Sequence, residues 1–331
     1  MLIATPNLCL DITVRLPRLE PGAVARATAT DTSAGGKGVN AARAATLLGD
    51  TATVTGLLAD RDGYRFEQLL AAEHIPFRPV AVAGVLRVAT ILLEDDGRVT
   101  VVNGRGPEVD TATWRAFTTQ LSALVPEVGV LVCSGSLPPG VPLEGYRQLV
   151  DIGHRAGVPV LVDAAPQVLA RALAARPDLV SPNLSEAEGL LLGRSDEQVD
   201  ERGDDIDRRA VQASRRLHRS GARRAVVTAG AAGAALTTGS GSWWLPSPRV
   251  AVVNPIGAGD SFAAGAAQAL ARGATDLDVV RRGMAAASAS CETATAGRLD
   301  PARAEALFHQ IQPAFAGAAG DVLAIDEPAT R

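Results

Sequence analysis

Val128-Gly129-Val130-Leu131-Val132 and, further along, Val158-Pro159-Val160-Leu161-Val162 bracket a helical pattern that runs from Leu143 to Ala156. Both runs are continuously apolar rather than alternating, as expected of strands covered on both faces. Similar runs recur at Ala52-Thr53-Val54-Thr55 and Ala225-Val226-Val227-Thr228. Helical patterns also cover Asp110 to Leu124, opened by an aspartate suited to capping, and Asp205 to Ser220. Strand, helix, strand, repeated, predicts an α/β fold: a doubly wound, mostly parallel sheet with helices on both faces. Two early regions break that rhythm. Residues Ile12 to Thr30, and Arg87 to Val102 with a turn at Asp95-Asp96-Gly97, read as alternating strands and a hairpin, an antiparallel piece apart from the main sheet. Open parallel sheets bind ligands at the carboxyl ends of their strands. The piece is therefore either a small β lid that excludes water from that edge or a plain surface hairpin.

At 331 residues the chain can hold one large α/β domain or two smaller ones. A hydrophobic fraction of 47% with only 3% aromatics means a core of Ala, Val and Leu, which suits helices packed on a parallel sheet. The net charge of −4, with acids and bases interspersed, offers no basic stripe, so no nucleic-acid partner is expected. Cys9, Cys133 and Cys291 are odd in number and far apart; they read as buried free thiols, at home in a reducing cytoplasm. Met1 leads straight into Leu2-Ile3-Ala4 without the basic segment and apolar run of a secretory signal. The richest apolar stretch, Ala263 to Ala271, falls short of the roughly 20 residues that span a bilayer, so no membrane association is expected. His74, His154, His218 and His309 lack metal-ligand spacing. Pro313 to Arg331 has no sustained period and reads as a tail with the composition of a disordered segment.

The most informative segment for chemistry is Asn254-Pro255-Ile256-Gly257-Ala258-Gly259-Asp260-Ser261-Phe262, followed by the small-residue helix Ala263 to Ala271. Glycines before a helix let backbone N–H groups converge on one anion, where the helix dipole adds favourable partial charge. A transferring phosphoryl group gathers charge where such donors help most, and Asp260 at the mouth of this hole could accept a proton from an attacking hydroxyl. The competing reading makes Asp260 an N-cap and the glycines a tight turn. A dinucleotide fingerprint fits less well, since its third glycine would fall on Phe262. Ser33-Ala34-Gly35-Gly36-Lys37-Gly38-Val39-Asn40 also leads into a helix, Asn40 to Leu48, but lacks P-loop spacing; it is either a different anion or polyol site or a flexible turn. In Ser181-Pro182-Asn183-Leu184-Ser185-Glu186, Asn183 and Glu186 share a helix face and could position hydrated Mg²⁺ near phosphates, or simply form a capping box. Thr228-Ala229-Gly230-Ala231-Ala232-Gly233 closes a buried strand and permits approach of a flat ligand such as a purine, or turns into the next strand. Ser134-Gly135-Ser136-Leu137-Pro138-Pro139-Gly140 lies at another strand end, where a rigid Pro-Pro-Gly turn explains most of it.

Taken in order, these motifs resemble the ribokinase-like PfkB family of carbohydrate kinases, particularly its 1-phosphofructokinase and tagatose-6-phosphate kinase branch, over about residues 1 to 311. The strongest elements are Ala34 to Asn40, Ser134 to Gly140 and Gly257-Ala258-Gly259-Asp260, far more specific together than singly. The resemblance implies a kinase domain over 1–311, with a lid from about 10–32 and 85–105, and a tail over 312–331. It implies Mg²⁺-assisted transfer from ATP to a hydroxyl of a phosphorylated ketohexose, fructose 1-phosphate foremost, with Asp260 as base and Gly257, Ala258 and Gly259 as anion hole. A different sugar phosphate, or an unphosphorylated sugar or nucleoside, is the alternative acceptor, and a non-catalytic sensor the alternative class. By the same similarity Asp11, Gly35, Gly36, Lys37 and Asn40 would line the sugar pocket, Arg87 would hold the substrate phosphate, and Ser136 would assist. Asn183 and Glu186 would serve Mg²⁺ through water and the phosphates, while Thr228, Gly230 and Gly233 would bind the nucleotide. Members of the family commonly form homodimers through the lid. The sequence departs from the family pattern at Ser181, where the branch carries Lys, at Asn7-Leu8-Cys9-Leu10-Asp11, and at Asn103-Gly104-Arg105-Gly106-Pro107, where Arg105 would add a phosphate contact.

Overall fold

The run that opens the chain, Leu2–Asn7, is buried along its whole length and forms the strand, β1, about which the main sheet is arranged. The computed structural model describes residues 1–193 and 205–318. After β1 come β2 (Cys9–Leu16), β3 (Ala29–Gly35), α1 (Lys37–Leu47), β4 (Thr53–Arg61), α2 (Gly63–Ala72), β5 (Phe77–Val85), β6 (Arg87–Glu94) and β7 (Val99–Asn103). The middle of the chain gives α3 (Thr111–Leu124), β8 (Leu131–Ser134), α4 (Gly145–Arg155), β9 (Val160–Asp163), α5 (Pro166–Ala172), β10 (Leu179–Val180), α6 (Leu184–Leu192) and α7 (Ile206–Arg219). It ends with β11 (Ala225–Ala229), β12 (Gly233–Thr238), β13 (Gly241–Pro246), α8 (Ala258–Ala271), α9 (Asp276–Cys291), α10 (Pro301–Phe308) and β14 (Ala314–Gly317).

The main sheet has the order β14-β13-β12-β11-β10-β9-β8-β1-β4-β5, parallel from β11 through to β5 and antiparallel beyond β11. From β1 the chain first builds outward through β4 and β5, then returns to add β8, β9, β10 and β11 on the other side. That reversal opens a crevice at the carboxyl ends of β1 and β8, the position where such sheets bind ligands. Helices α1, α8 and α9 pack together as one layer, and α3 to α7 pack in succession as another. The expected doubly wound, mostly parallel sheet is thus present, with β8 and β9 buried throughout. Asp110 caps α3 by accepting from the Thr113 N–H at 2.7 Å, as the sequence suggested.

A second sheet, β3-β2-β6-β7, stands at the early regions that broke the rhythm. Its two outer pairings are antiparallel, and the inner one, β2 with β6, is parallel, because β6 arrives after a crossover through α1, β4, α2 and β5 rather than by a hairpin. Asp95-Asp96-Gly97 makes the β6–β7 turn, with Gly97 in the left-handed region at φ 86°.

Three expectations shift. The region expected to be tail from 312 contributes β14, which pairs with β13 and is pinned by Arg215, whose Nη2 donates to the Ala316 carbonyl at 2.9 Å; no apolar period was needed, because an edge strand of four residues is held by its backbone. Residues 319–331 lie outside the described residues. Helix α1 begins at Lys37 rather than Asn40, and Cys291 is half-buried whereas Cys9 and Cys133 are buried; all three are free thiols. No helix among the described residues is long and apolar enough to cross a membrane.

Helix α8 lies between α1 and α9, and its small residues set how closely they approach. A β-carbon on Gly265 would lie 2.6 Å from the Arg282 carbonyl oxygen and 3.0 Å from the Ala286 β-carbon, on backbone that cannot swing aside. Alanine gains about 1 kcal/mol over glycine in a helix interior, but overpacking costs about 1–3 kcal/mol. Gly265→Ala is expected to lower the melting temperature by several degrees, and an unchanged or higher value in a thermal melt would refute this packing.

Candidate active site

The parallel strands deliver their carboxyl ends to one crevice, and helices α1 and α8 start there. Gly257, at φ 82°, is the N-cap of α8, and the loop at Ala296 and Gly297 sits where its β-carbon would be, 3.0 Å away. Only glycine fits that conformation and that gap. The first-turn N–H groups of Gly259 and Asp260 have no acceptor within the helix and face off its start, where the helix dipole favours an anion. Asp260 is therefore the third residue of the helix and not its N-cap, which removes the capping alternative. Its carboxylate accepts from the Asn40 Nδ2 at 2.8 Å and is almost wholly buried.

Burial is the main cause that raises the Asp260 pKa, to about 7; Lys37 opposes it, Asp163 adds to it, the Asn40 hydrogen bond opposes it and Asp11 adds to it. A carboxyl group poised near neutrality can both take and hold a proton at working pH. Asn40 is itself held. Its Oδ1 accepts from Arg43 Nη1 at 2.8 Å, a residue that sequence reading did not single out.

Lys37, the first residue of α1, directs its ammonium to Asp163 Oδ1 at 3.3 Å, at the end of β9, and to Glu186 Oε1 at 3.4 Å. Although 41% of its side-chain surface is exposed, the ammonium sits among carboxylates. Burial works against its charge, but Asp163, Glu186 and Asp260 outweigh that and hold its pKa well above the ordinary value. Lys37, which the resemblance placed in the sugar pocket, thus bridges to the end of β9 and the start of α6. Asp163, also missed from sequence because it is simply the last residue of a strand, has its pKa raised chiefly by burial, with Lys37 opposing. Asn183 and Glu186 form the capping box of α6: Asn183 Oδ1 accepts from the Glu186 N–H at 2.8 Å, and Glu186 Oε2 from the Asn183 N–H at 3.0 Å. Glu186 keeps its other oxygen for Lys37, so the structural role and the site role belong to one side chain. No group of three or more His, Cys, Asp or Glu side chains suited to a metal occurs among the described residues.

On the lid side, Asp11 on β2 accepts from the Cys9 thiol at 3.1 Å, and burial is the main cause that raises its pKa, with Cys9, the Gly36 N–H and Arg87 opposing. Gly35 is required by contact: a β-carbon there would lie 2.0 Å from Asp11 Cγ. Gly36, at φ 101°, caps α1 and turns the chain from β3 into it. Arg87 donates from Nε and Nη2 to the Asn7 carbonyl at 3.1 and 3.0 Å, which fixes its guanidinium at the end of β1. Asn7 in turn donates to Ser136 Oγ at 2.9 Å and to the Arg105 carbonyl at 3.3 Å. Asn7 therefore ties Ser136, the Arg105 loop and Arg87 together. At the far end of the crevice Thr228 bridges to Asn183, and Gly230 and Gly233 flank the β11–β12 turn. A side chain at Gly233 would strike the Leu245 carbonyl at 2.3 Å, so that glycine also serves the packing of β13.

A glycine-framed helix start with a buried carboxylate thus lies at the parallel strand ends, beside the second sheet. The pfkB family carbohydrate kinase model matches residues 4–303. The chain belongs to the pfkB family of carbohydrate kinases. It is 30% identical over 307 residues to 1-phosphofructokinase of Escherichia coli (strain K12), covering 93% of this chain and 96% of that protein. The phosphofructokinase-2 of Escherichia coli, solved in complex with potassium, superposes with a TM-score of 0.83 at 29% identity, over 94% of this chain and 98% of that one. The same enzyme in complex with fructose-6-phosphate superposes with a TM-score of 0.81 at 29% identity over the same shares of the two chains, 94% and 98%. This pfkB-family protein is accordingly a phosphotransferase with the ribokinase-like fold.

In this kinase Lys37 is the nearest counter-charge to Asp163 and Glu186. Lys37→Met removes the cation that opposes the burial-driven rise of the Asp163 pKa, so the folded-state value moves further above the unfolded carboxylate range. A group with a raised folded pKa loses stability as pH rises above its unfolded value. The melting-temperature deficit of Lys37→Met against the parent is therefore expected to widen between about pH 5 and about pH 8; a deficit constant across that range would refute the pairing.

Proposed function

We propose that this kinase transfers the γ-phosphoryl group of ATP to a hydroxyl of a phosphorylated ketohexose, fructose 1-phosphate foremost, with Asp260 as general base. The observation that carries this reading is the buried Asp260 carboxylate, held by Asn40 beside the unpaired first-turn N–H groups of α8. The acceptor hydroxyl gives its proton to Asp260 as its oxygen attacks the γ-phosphorus, the bond to the β-phosphate oxygen breaks, and ADP leaves. The Gly257-Ala258-Gly259 turn presents the first-turn N–H groups of Gly259 and Asp260 to the transferring group's oxygens, the Ala258 N–H being held by the Pro255 carbonyl at 3.3 Å.

On the acceptor side, Asp11 takes sugar hydroxyls, with Gly35 and Gly36 holding it against the floor of the pocket, while Arg87, Ser136 and Arg105 surround the acceptor phosphate. On the nucleotide side, Thr228, Gly230 and Gly233 line the purine. Asn183 and Glu186 offer hard oxygen donors of the kind Mg²⁺ takes and would hold a hydrated ion. When bound, that ion neutralises the nucleotide phosphates. Ser181 stands where the branch has Lys, which leaves the metal and the N–H groups as the main counter-charges to ATP.

The lid carries the homodimer contact in this reading, supported by Val99, Val101 and Val102, which β7 leaves exposed on its outer strand. Three unpaired thiols, buried or half-buried, support a reducing cytoplasm.

Three measurements decide. Asp260→Asn is expected to keep the fold and lower kcat by about 10²–10⁴-fold; a folded variant with near-parental kcat would remove Asp260 from the role of base. In the parent, kcat is expected to fall as pH drops through about 7, since protonation of Asp260 removes the acceptor for the hydroxyl proton. Coupled ADP release with fructose 1-phosphate, fructose 6-phosphate, tagatose 6-phosphate, fructose and adenosine identifies the acceptor. A kcat/KM highest for fructose 1-phosphate is expected. Preference for fructose or adenosine would overturn the sugar-phosphate assignment, and preference for fructose 6-phosphate would favour the acceptor seen with the Escherichia coli phosphofructokinase-2.

A further inference from the structure

Arg43 lies on α1 one turn beyond Asn40 and is 5% exposed. Few arginines are buried so deeply without a task, because a desolvated guanidinium must find partners for its donors. Arg43 finds four. Its Nη1 donates to Asn40 Oδ1 at 2.8 Å and to the Ala296 carbonyl at 3.2 Å, and its Nη2 to the Ala34 carbonyl at 3.1 Å. Glu73, which follows α2, accepts from both Nε and Nη2, the latter at 2.7 Å.

The chemistry of these groups settles how Asn40 is oriented. A guanidinium can only donate, so the amide oxygen of Asn40 must face Arg43 and its NH₂ must face Asp260. Rotated the other way, the amide would set an oxygen against the carboxylate and an NH₂ against a cation. The Ala296 contact adds a second link, since the loop at Ala296 and Gly297 closes against Gly257, and Gly297 leaves no room for a β-carbon beside the Asn40 backbone. One side chain therefore touches the end of β3, the amide that holds Asp260, and the loop that backs the N-cap of α8.

We infer that the Glu73–Arg43 pair is a positioning device for the reaction, orienting the Asn40 amide so that Asp260 keeps a hydrogen-bond donor and Gly257 keeps its backing loop. Arg43 touches no substrate; it acts through Asn40. The charged groups that act on Asp260 are Lys37 of α1, Asp163 of β9 and Asp11 of β2, and none of them moves in this scheme. Loss of the oriented N–H removes a contact that favours the ionised carboxylate, so the Asp260 pKa rises.

The proposal rests on Asp260 as base, and two readouts keep the two ideas apart. Arg43→Lys retains the charge, but a single ammonium cannot reproduce the fork that joins Asn40, Glu73 and two carbonyls. Glu73→Gln leaves the guanidinium in place and releases its clamp; with 20% of the Glu73 side chain exposed, against 6% for Arg43, and with its shape kept, it provides a folded variant even if Arg43→Lys does not. Thermal melts establish which variants fold. In the folded variants, the acid limb of kcat against pH, measured with ATP and whichever of fructose 1-phosphate and fructose 6-phosphate is turned over, is expected to move upward by about one pH unit. At pH 7 kcat should fall by about fivefold and recover as pH rises, with KM for ATP unchanged. Independently of turnover, the carboxyl carbon of Asp260 in ¹³C-aspartate-labelled protein, assigned by its disappearance in Asp260→Asn, should titrate at correspondingly higher pH. A merely structural Arg43 would lower kcat by the same factor at every pH and leave the titration in place, and either result in a folded variant overturns the proposal. If the carboxyl titration shifts while Asp260→Asn retains turnover, the positioning stands and the base assignment falls.

Discussion

A carboxylate that must act as a base has to be shielded from water and yet remain able to ionise, and those demands oppose each other. Withdrawing such an ion from water costs several kcal/mol even after relaxation. At Asp260 that cost appears as a pKa raised to about 7, with the Lys37 ammonium and the Asn40 amide opposing the rise. A fully apolar setting would leave the group protonated through the physiological range, whereas an open setting would leave it too weak a base. The architecture around it can be understood as the means of placing one amide donor and one nearby cation at a buried carboxylate.

That placement depends on small residues. Helix α8 brings its first turn to the crevice only because Ala263, Ala264, Gly265, Ala266 and Ala267 let it lie close to α1 and α9. The composition, rich in alanine and poor in aromatics, is thus part of the site geometry as well as of the core. Gly35 shows the same logic on the lid side, where only the lack of a side chain lets β3 pass against the Asp11 carboxylate.

The sequence made the parallel strands legible wherever they form continuous apolar runs, and the glycine-framed helix starts wherever glycine precedes an acid. Strand β1 escaped notice although it is the centre of the sheet, because Leu2-Ile3-Ala4 is too short a run to separate from a chain start and Pro6 follows it. Strand β5 escaped because half of it is exposed at the sheet edge, and β14 because an edge strand needs no apolar pattern. Among site residues, Asp260, Asn40 and Glu186 stood in motifs, and Arg87 came through the family resemblance. Asp163 and Arg43 did not: a strand-terminal aspartate and a helical arginine look like ordinary surface residues until the fold buries them. The signal that could have exposed Arg43 is its place three residues after Asn40, on the same helix face as an amide already assigned to the site.

In the proposed reaction two anions meet in this crevice, and the charges offered to them are divided between the two sheets. Asp11, Asp163, Glu186 and Asp260 put four carboxylates around it, and Lys37 is already shared between Asp163 and Glu186. An acceptor phosphate therefore gains little from Lys37, and the remaining positive charge on that side belongs to Arg87 at the start of β6 and Arg105 after β7. In the proposed reaction the chemistry then resides on the main sheet and its α8 start, while recognition of the acceptor resides on the second sheet. Arg87 and the Arg105 loop meet at Asn7, the last residue of β1, so the recognition surface is bolted to the central strand by one side chain and one carbonyl. In that reading, acceptor preference can change through residues of the second sheet without disturbing the proposed base on the main sheet.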